Sequence, residues 1–315
     1  MSRSVGDGVW DAALALDLPP HLAAQVATLA APMADLVRSD AAPAQGSALV
    51  GCDLDRTIIY SGSALALPAG DVEPPRLVVV EVHQGVPLSF CTRDAETLLA
   101  LLAMLVVVVP VTTRTRAQLA RVHLWGVPPR YAIAANGGHI LLDGVPCPDW
   151  ARHVASSLES GCAPLREVVA HLDAVTAQPW LRNRRTADDL FAYLVVDRAE
   201  LPTGFIADLT GWCADRGWTV SLQGRKVYAV PEPLSKAAAL AEIARREGAV
   251  RTLAAGDSLL DASLLESADL GVRPAHGELH DVGWHAPHIA VTDQAGVLGG
   301  QEVLARLLAA VLTKI

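Results

Sequence analysis

The chain has 315 residues, 51% of them hydrophobic, and a formal net charge of −9. That length and apolar content suit one large packed domain or two modest ones. The acidic balance argues against a broad nucleic-acid surface, which must neutralise many phosphates at once, but not against a small anionic substrate held by one or two cations and a metal.

Residues 1–45 read as an alanine-rich helical extension divided by Pro19-Pro20, with Ala41 to Gly46 as a linker. No chemistry is legible there, so a packing or homo-oligomerisation role is expected. Alternating strands and helices follow. Ala48 to Cys52 is a short apolar run ending at Asp53, and Leu77 to Val82 and Val86 to Cys91 flank His83-Gln84-Gly85 as a hairpin. Ala95 to Met104 reads as a helix and Leu105 to Val111 as a buried parallel strand. The apolar stretch Leu98 to Val111 is too short for a membrane helix, which takes about 20 residues. Thr115 to Trp125 reads as an amphipathic helix stopped by Gly126 and Pro128, and Tyr131 to Ala135 as a strand ending at Asn136-Gly137-Gly138.

The pattern changes near Gly144. A helical region (Trp150 to Val175), strands near Trp180 and from Leu190 to Val196, a helix (Pro202 to Arg216) and a hairpin (Trp218 to Leu222, Lys226 to Val230) form an α+β unit, placed at 145–231. The α/β pattern resumes with a helix (Ser235 to Glu247), a strand (Arg251 to Ala255) and short strands Asp269 to Val272 and Ile289 to Thr292. An amphipathic helix, Glu302 to Thr313, closes the chain. The expected architecture is a Rossmann-like α/β core (46–144 and 232–315) with a parallel sheet, an inserted α+β cap and the helical extension.

Four segments carry candidate chemistry. Asp53-Leu54-Asp55-Arg56-Thr57 leaves an apolar strand, where open α/β sheets place their sites; two carboxylates at i and i+2 can face one pocket and favour a bound cation. Gly256-Asp257-Ser258-Leu259-Leu260-Asp261 follows another strand, and a helical turn would bring Asp257 and Asp261 onto one face as oxygen ligands for magnesium. Lys236 opens a helix, a poor place for a cation unless an anion also sits there. Thr112-Thr113-Arg114 ends the valine strand, where a hydroxyl and backbone amides can hold phosphate oxygens. Taken singly, each segment is also compatible with an ordinary solvated turn, cap or strand end.

In this order the segments resemble the motifs of the haloacid dehalogenase (HAD) superfamily of phosphatases, over residues 48–295. The 145–231 unit resembles the C2 cap of that superfamily. Thr112-Thr113-Arg114 and Asn136-Gly137-Gly138 resemble segments of its sugar-phosphatase branch, which includes Cof-type, sucrose-phosphate, trehalose-phosphate and mannosyl-phosphoglycerate phosphatases. The resemblance implies a magnesium-dependent phosphatase. Asp53 would be the nucleophile, Asp55 the acid/base, and Thr112 and Lys236 the phosphoryl-binding groups. Magnesium would be held by the Asp53 carboxylate, the Asp55 carbonyl and Asp257, with Asp261 acting through water or by holding Lys236. Thr113, Arg114 and Asn136 would contact substrate. Two features depart from the commonest pattern: Arg56 stands where glycine is frequent, and the 77–91 hairpin is long.

The cap would choose the substrate. Within Trp180-Leu181-Arg182-Asn183-Arg184-Arg185, Arg182 and Arg184 are the candidates to clasp a second phosphate or a carboxylate. His276, His280, His285 and His288 match no zinc spacing. The five cysteines are odd in number with no CxxC pair, and the N-terminus lacks a basic region followed by an apolar run. A cytoplasmic, soluble chain is therefore expected, with a small phosphorylated substrate and neither nucleic-acid nor membrane partners. A phosphotransferase or mutase, and a non-catalytic binding protein on the same scaffold, remain open as alternatives.

Overall fold

The computed structural model describes residues 5–36, 47–67, 69–70, 73–124, 126, 128–175 and 178–313. The segment 41–46, expected to be a linker, lies outside them.

Apolar runs in the core assemble into an eight-stranded sheet. Its spatial order is Ile289–Val291, Leu270–Arg273, Arg251–Ala255, Ala48–Asp53, Val107–Val111, Tyr131–Ala134, His139–Leu142 and Val145–Pro146. The first six strands are parallel and the last two pairings antiparallel. Ala48–Asp53 is central, with Val50 beside both Leu253 and Val108. The C-terminal ends of the three middle strands therefore bring Asp53, Thr112 and Asp257 to one edge, as the rule for open parallel sheets requires.

Between the two halves of the core lies a separate four-stranded antiparallel sheet. Its order is Trp218–Gln223, Lys226–Pro231, Phe191–Val196, Leu181–Ala187. Helices Pro148–Gly161, Leu165–Val175 and Phe205–Ala214 accompany it. The chain is thus an α/β fold with a mainly parallel core sheet and an inserted antiparallel unit, as expected. A third sheet is formed by Leu77–His83, Val86–Thr92 and the two residues Tyr60–Ser61. The turn between its long strands carries Gln84 at φ 52° and Gly85 at φ 77°, which makes a tight hairpin.

Two expectations need correction. Thr115 to Trp125 is not one helix. Thr115 and Gln118 form a capping box that starts the helix, but helix geometry covers only Arg116–Leu119. The chain is then captured by the hairpin: Val122 bridges Glu81 and the His123 amide donates to Val80. The closing helix is longer than expected, Gly296–Leu312, and is buried nearly all round rather than amphipathic. Helix Pro20–Ala34 and helix Arg93–Leu105 both pack on it. Leu22, Ala23, Val26, Ala30 and Met33 of the N-terminal segment are fully buried. A helix covered on several sides has no solvent face to keep polar.

Candidate active site

Asp53 ends the central strand and is buried at 5% exposure. Its Oδ1 accepts from Lys236 Nζ at 2.7 Å and its Oδ2 from the Thr57 hydroxyl at 3.0 Å. Lys236 is itself 1% exposed and also donates to Asp261 Oδ1 at 2.6 Å. Ser235 caps the helix that Lys236 opens, accepting from the Ala238 amide. The register of this helix start is set from below. Asn136 Nδ2 donates to the Leu234 carbonyl, and a Cβ on Gly137 would lie 2.3 Å from the Ser235 carbonyl oxygen. Asn136 thus brackets the helix start under the lysine, at φ 56°, while its Oδ1 is buried without a hydrogen-bond partner.

Asp257 and Asp261 do meet, but not on one helix face. Asp257 lies in the loop before the helical turn, and Asp261 folds back to accept from the Ser258 amide (3.0 Å) and hydroxyl (2.7 Å). Both Asp261 oxygens are therefore in use, one on Lys236 and one on Ser258. Of the two roles that the resemblance allowed, holding the lysine is the one this geometry supplies.

Carboxylate oxygens of Asp53, Asp257 and Asp261 lie within 4.8 Å of one another, the one such group among the described residues. Burial, followed by the neighbouring acids, outweighs the lysine: Asp53 is pushed up to about 7 and Asp257 well above the usual carboxylate range. Burial depresses Lys236, but Asp261 and Asp53 overcome it and hold the ammonium above its ordinary value. Three buried carboxylates around one ammonium leave negative charge uncompensated. An all-oxygen donor set of this kind fits a hard divalent cation such as magnesium, and these residues could hold one. Arg56 adds a partial counter-charge, its Nε standing 3.5 Å from Asp257 Oδ2. Arg56 sits at φ 66°, which explains why glycine would be easier here.

Asp55 does not join this cluster. Its carboxylate is gripped at both oxygens by Arg114, at 2.7 and 2.8 Å, and Arg114 also donates to Glu81 at 2.8 Å. Burial raises Asp55, but the guanidinium more than offsets it, with help from Lys226 and Lys236, and the carboxyl ends below its usual range. Arg114, expected to bind substrate, is thus bonded to Asp55. Glu81 lies in the strand Leu77–His83, 3% exposed, and accepts from Ser89 and Arg121 as well. It was missed from the sequence, although a lone acid inside Leu-Val-Val-Val-Glu-Val was a visible signal.

Thr112 is fully buried, its amide bonded to the Ile133 carbonyl and its hydroxyl accepting from the Arg114 amide at 3.1 Å; Thr113 is buried beside it. Arg182 and Arg184 are not brought to the site. They pair with Asp197 (2.7 Å) and Asp173 (2.6 Å). Nor do the four histidines cluster. His276 bonds the Arg56 carbonyl and the Gly296 amide, His288 the Leu265 carbonyl and His285 the Gly283 carbonyl, while His280 faces Arg273.

The inserted unit touches the core on two sides of the site. Glu278 accepts from the Ser221 hydroxyl (2.7 Å), the Leu222 amide (3.1 Å) and, within the core, the Leu259 amide (3.0 Å). On the other side Asp188 accepts from the Arg116 amide at 2.9 Å and lies 3.2 Å from His139. Lys226 reaches into this space beside the rings of Tyr193 and Tyr228 (5.6 and 5.8 Å). Tyr228 foremost, and then Asp55 against the effect of burial, keep its ammonium above the ordinary value.

The mainly parallel core sheet with an inserted antiparallel unit is a fold that solved structures share. The chain is similar to the sucrose-phosphatase from Synechocystis sp. PCC6803, solved in complex with sucrose and phosphate. The identity is 15%, the TM-score 0.53, and the match covers 80% of this chain and 94% of that one. It is likewise similar to the C-terminal domain of a C. albicans trehalose-6-phosphate phosphatase (13% identity, TM-score 0.52, 84% and 92% covered). A Thermoplasma acidophilum protein matches at 10% identity and TM-score 0.52, with 84% and 100% covered. No family model and no curated protein matches the sequence. Among the described residues no helix is long and apolar enough to cross a membrane.

Proposed function

We propose that the chain is a magnesium-dependent phosphohydrolase that cleaves a small phosphorylated metabolite, a sugar phosphate or similar, through an aspartyl-phosphate on Asp53. One observation carries the reading. A carboxylate at the end of the central strand is oriented by a buried lysine and a threonine hydroxyl inside a three-carboxylate cluster, with a second carboxylate two residues on. Bound by Asp53 and Asp257, with Asp261 behind them, magnesium would neutralise charge on the transferring phosphoryl group. An Asp53 oxygen attacks phosphorus and the bond to the leaving oxygen breaks, Asp55 giving that oxygen its proton. Asp55 then takes a proton from water, which attacks the acyl-phosphate and releases orthophosphate and free Asp53. Arg114 fixes the Asp55 carboxylate; it favours the anion that the second step needs and opposes the protonated form from which the first step starts. Lys236 balances the charge of Asp53 throughout, and Thr112 and Thr113 are read as the groups that hold phosphoryl oxygens.

We assign 46–144 and 232–315 to the catalytic core and 145–231 to the cap; Val145–Pro146, the first two residues of the cap range, still pair with Leu142 and Leu141 of the core sheet. The described part of the N-terminal segment, residues 5–36, is read as an intramolecular brace, because the apolar side of the helix Pro20–Ala34 is already covered within the chain. The cysteines are unpaired, as a reducing, cytoplasmic setting allows.

The test is phosphate release from a panel of phosphorylated metabolites, with and without magnesium, by the wild-type chain and Asp53→Asn. No release by the folded, metal-loaded protein, or activity that survives Asp53→Asn, would defeat the reading. Transfer to an added sugar faster than hydrolysis would make the chain a phosphotransferase instead.

A further inference from the structure

Strand alternation sorts the polar residues of the cap sheet onto two faces. Directly opposed residues share a face, so Arg185, Tyr193, Tyr228 and Ser221 form one row across all four strands. Asn183, Val195, Lys226 and Gln223 form the next row on the same face. The alternate residues Leu194, Val227, Ala229 and Val220 are all apolar and buried, whereas the first face buries the hydroxyl-bearing Tyr193, Tyr228 and Ser221. Ser221 bonds Glu278 of the core, which identifies the first face as the one turned toward the site. Lys226 lies near enough to Asp55 for each charge to shift the other's titration.

The charges on the two faces differ. Arg184, with Thr186, belongs to the opposite face and is neutralised by Asp173, and Arg182 is neutralised by Asp197. Lys226 and Arg185 belong to the core-facing side, and neither has a carboxylate within salt-bridge distance among the described residues. An ammonium half-buried over two aromatic rings, with Asp55 acting on it only at a distance, has lost part of its hydration without a carboxylate in contact. An incoming anion would recover more of that loss than a neutral hydroxyl.

Resting on the phosphohydrolase reading, we propose that this face selects substrates with a second anionic group, a carboxylate or a further phosphate, bound by Lys226 and Arg185, while Tyr193 and Tyr228 flank the carbon skeleton between the two anions. A neutral sugar alone would leave both cations unmatched.

Two pairs of compounds isolate the second anion. 3-Phosphoglycerate and glycerol 3-phosphate differ by one carboxylate, and fructose 1,6-bisphosphate and fructose 6-phosphate differ by one phosphate. Each is measured as a substrate (KM) and as an inhibitor of p-nitrophenyl phosphate hydrolysis (Ki). In at least one pair, the member with the extra anion is expected to bind about tenfold more tightly or better. The pair that responds tells carboxylate from phosphate. Lys226→Met and Arg185→Gln should each shrink the ratio, and Lys226→Arg should keep it. Equal affinity within both pairs, or a preference that survives both variants, overturns the proposal. Arg185 lies on an exposed strand position, so its variant keeps the test usable if Lys226→Met unfolds the cap. Absence of turnover with every compound would instead overturn the phosphohydrolase reading. Calorimetric titration of the same four compounds into the magnesium-loaded chain would then still read the ratio.

Discussion

Asp53→Asn is expected to abolish catalysis and yet stabilise the metal-free chain at neutral pH. Asparagine preserves the contacts: its Oδ1 can accept from Lys236, and its Nδ2 can donate to the Thr57 hydroxyl that now donates to Asp53. What disappears is one of three clustered negative charges. Burial, with Asp261 and Asp55 adding to it and Lys236 opposing, raises Asp53 from 3.8 to about 7. A carboxyl whose folded value is raised contributes its stability below the unfolded value and loses it as pH climbs through the folded one. The interval from 3.8 to about 7 is worth about 4 kcal/mol at 1.36 kcal/mol per pH unit. Asp257 shares the protons, so the variant should gain about 2–4 kcal/mol at pH 8, or roughly 4–8 °C in Tm. Urea unfolding in EDTA, from pH 4 to 8, measures this: the variant and wild type should nearly coincide at the acid end and diverge upward. Magnesium at about 100 times Kd should restore about 2.7 kcal/mol to the wild type and less to the variant. A variant less stable than wild type at pH 8 without metal, or a difference independent of pH, would refute this account of the cluster.

Arg56→Gly should relax a left-handed residue by about 1 kcal/mol and remove the cation 3.5 Å from Asp257. The magnesium Kd by calorimetry should therefore fall, and an unchanged or higher Kd would argue that Arg56 does not compete for that carboxylate. Asp55→Asn should cost about 10²–10⁴ in kcat while changing the magnesium Kd less than about threefold, because the Asp55 side chain is bonded to Arg114 outside the acidic cluster. A parallel loss of metal binding would contradict that separation. Glu278→Ala removes the acceptor of Ser221 and Leu222 and should cost about 1–3 kcal/mol of cap docking. Hydrogen exchange in 218–223 should rise and KM should increase several-fold; unchanged protection there would mean that the docking rests on other contacts.

Much of the core was legible because local and global signals agree there. The Ala48–Asp53 and Val107–Val111 runs are continuous apolar strands, and the carboxylates and hydroxyls that follow them can only emerge at the same sheet edge. Lys236 was found for a similar reason: a cation at a helix N-terminus breaks a local rule, and it does so beside Asp53 and Asp261. Illegible were the features set by pairing between distant segments. The helix after Thr115 stops short because the 77–92 hairpin, remote in sequence, captures Val122 and His123. Asp257 and Asp261 were expected together on a helical face; a capping box brings them together instead. Arg114 looked like a substrate ligand because nothing local announces that Glu81 and Asp55 will lie on either side of it.

The arginine run of the cap carries the same argument to a single residue. Read as an exposed basic loop, 180–185 offers three equivalent cations. Once Leu181–Ala187 is a strand, the period of two separates them. Arg184 takes the parity that meets Asp173, Arg185 takes the parity of Tyr193 and Tyr228, and Arg182, the extra residue at an irregularity opposite Val195 and Val196, pairs with Asp197. Composition therefore located the basic segment, but register decides which cation faces the chemistry. Register comes from Phe191–Val196 pairing with both neighbours. A one-residue slip in that pairing would exchange the faces of Arg184 and Arg185, turning the neutralised arginine toward Asp55 and Arg185 away from it. The specificity proposed for the cap would thus depend on the same apolar alternation, Ala192 and Leu194 inward, that holds its sheet against the helices.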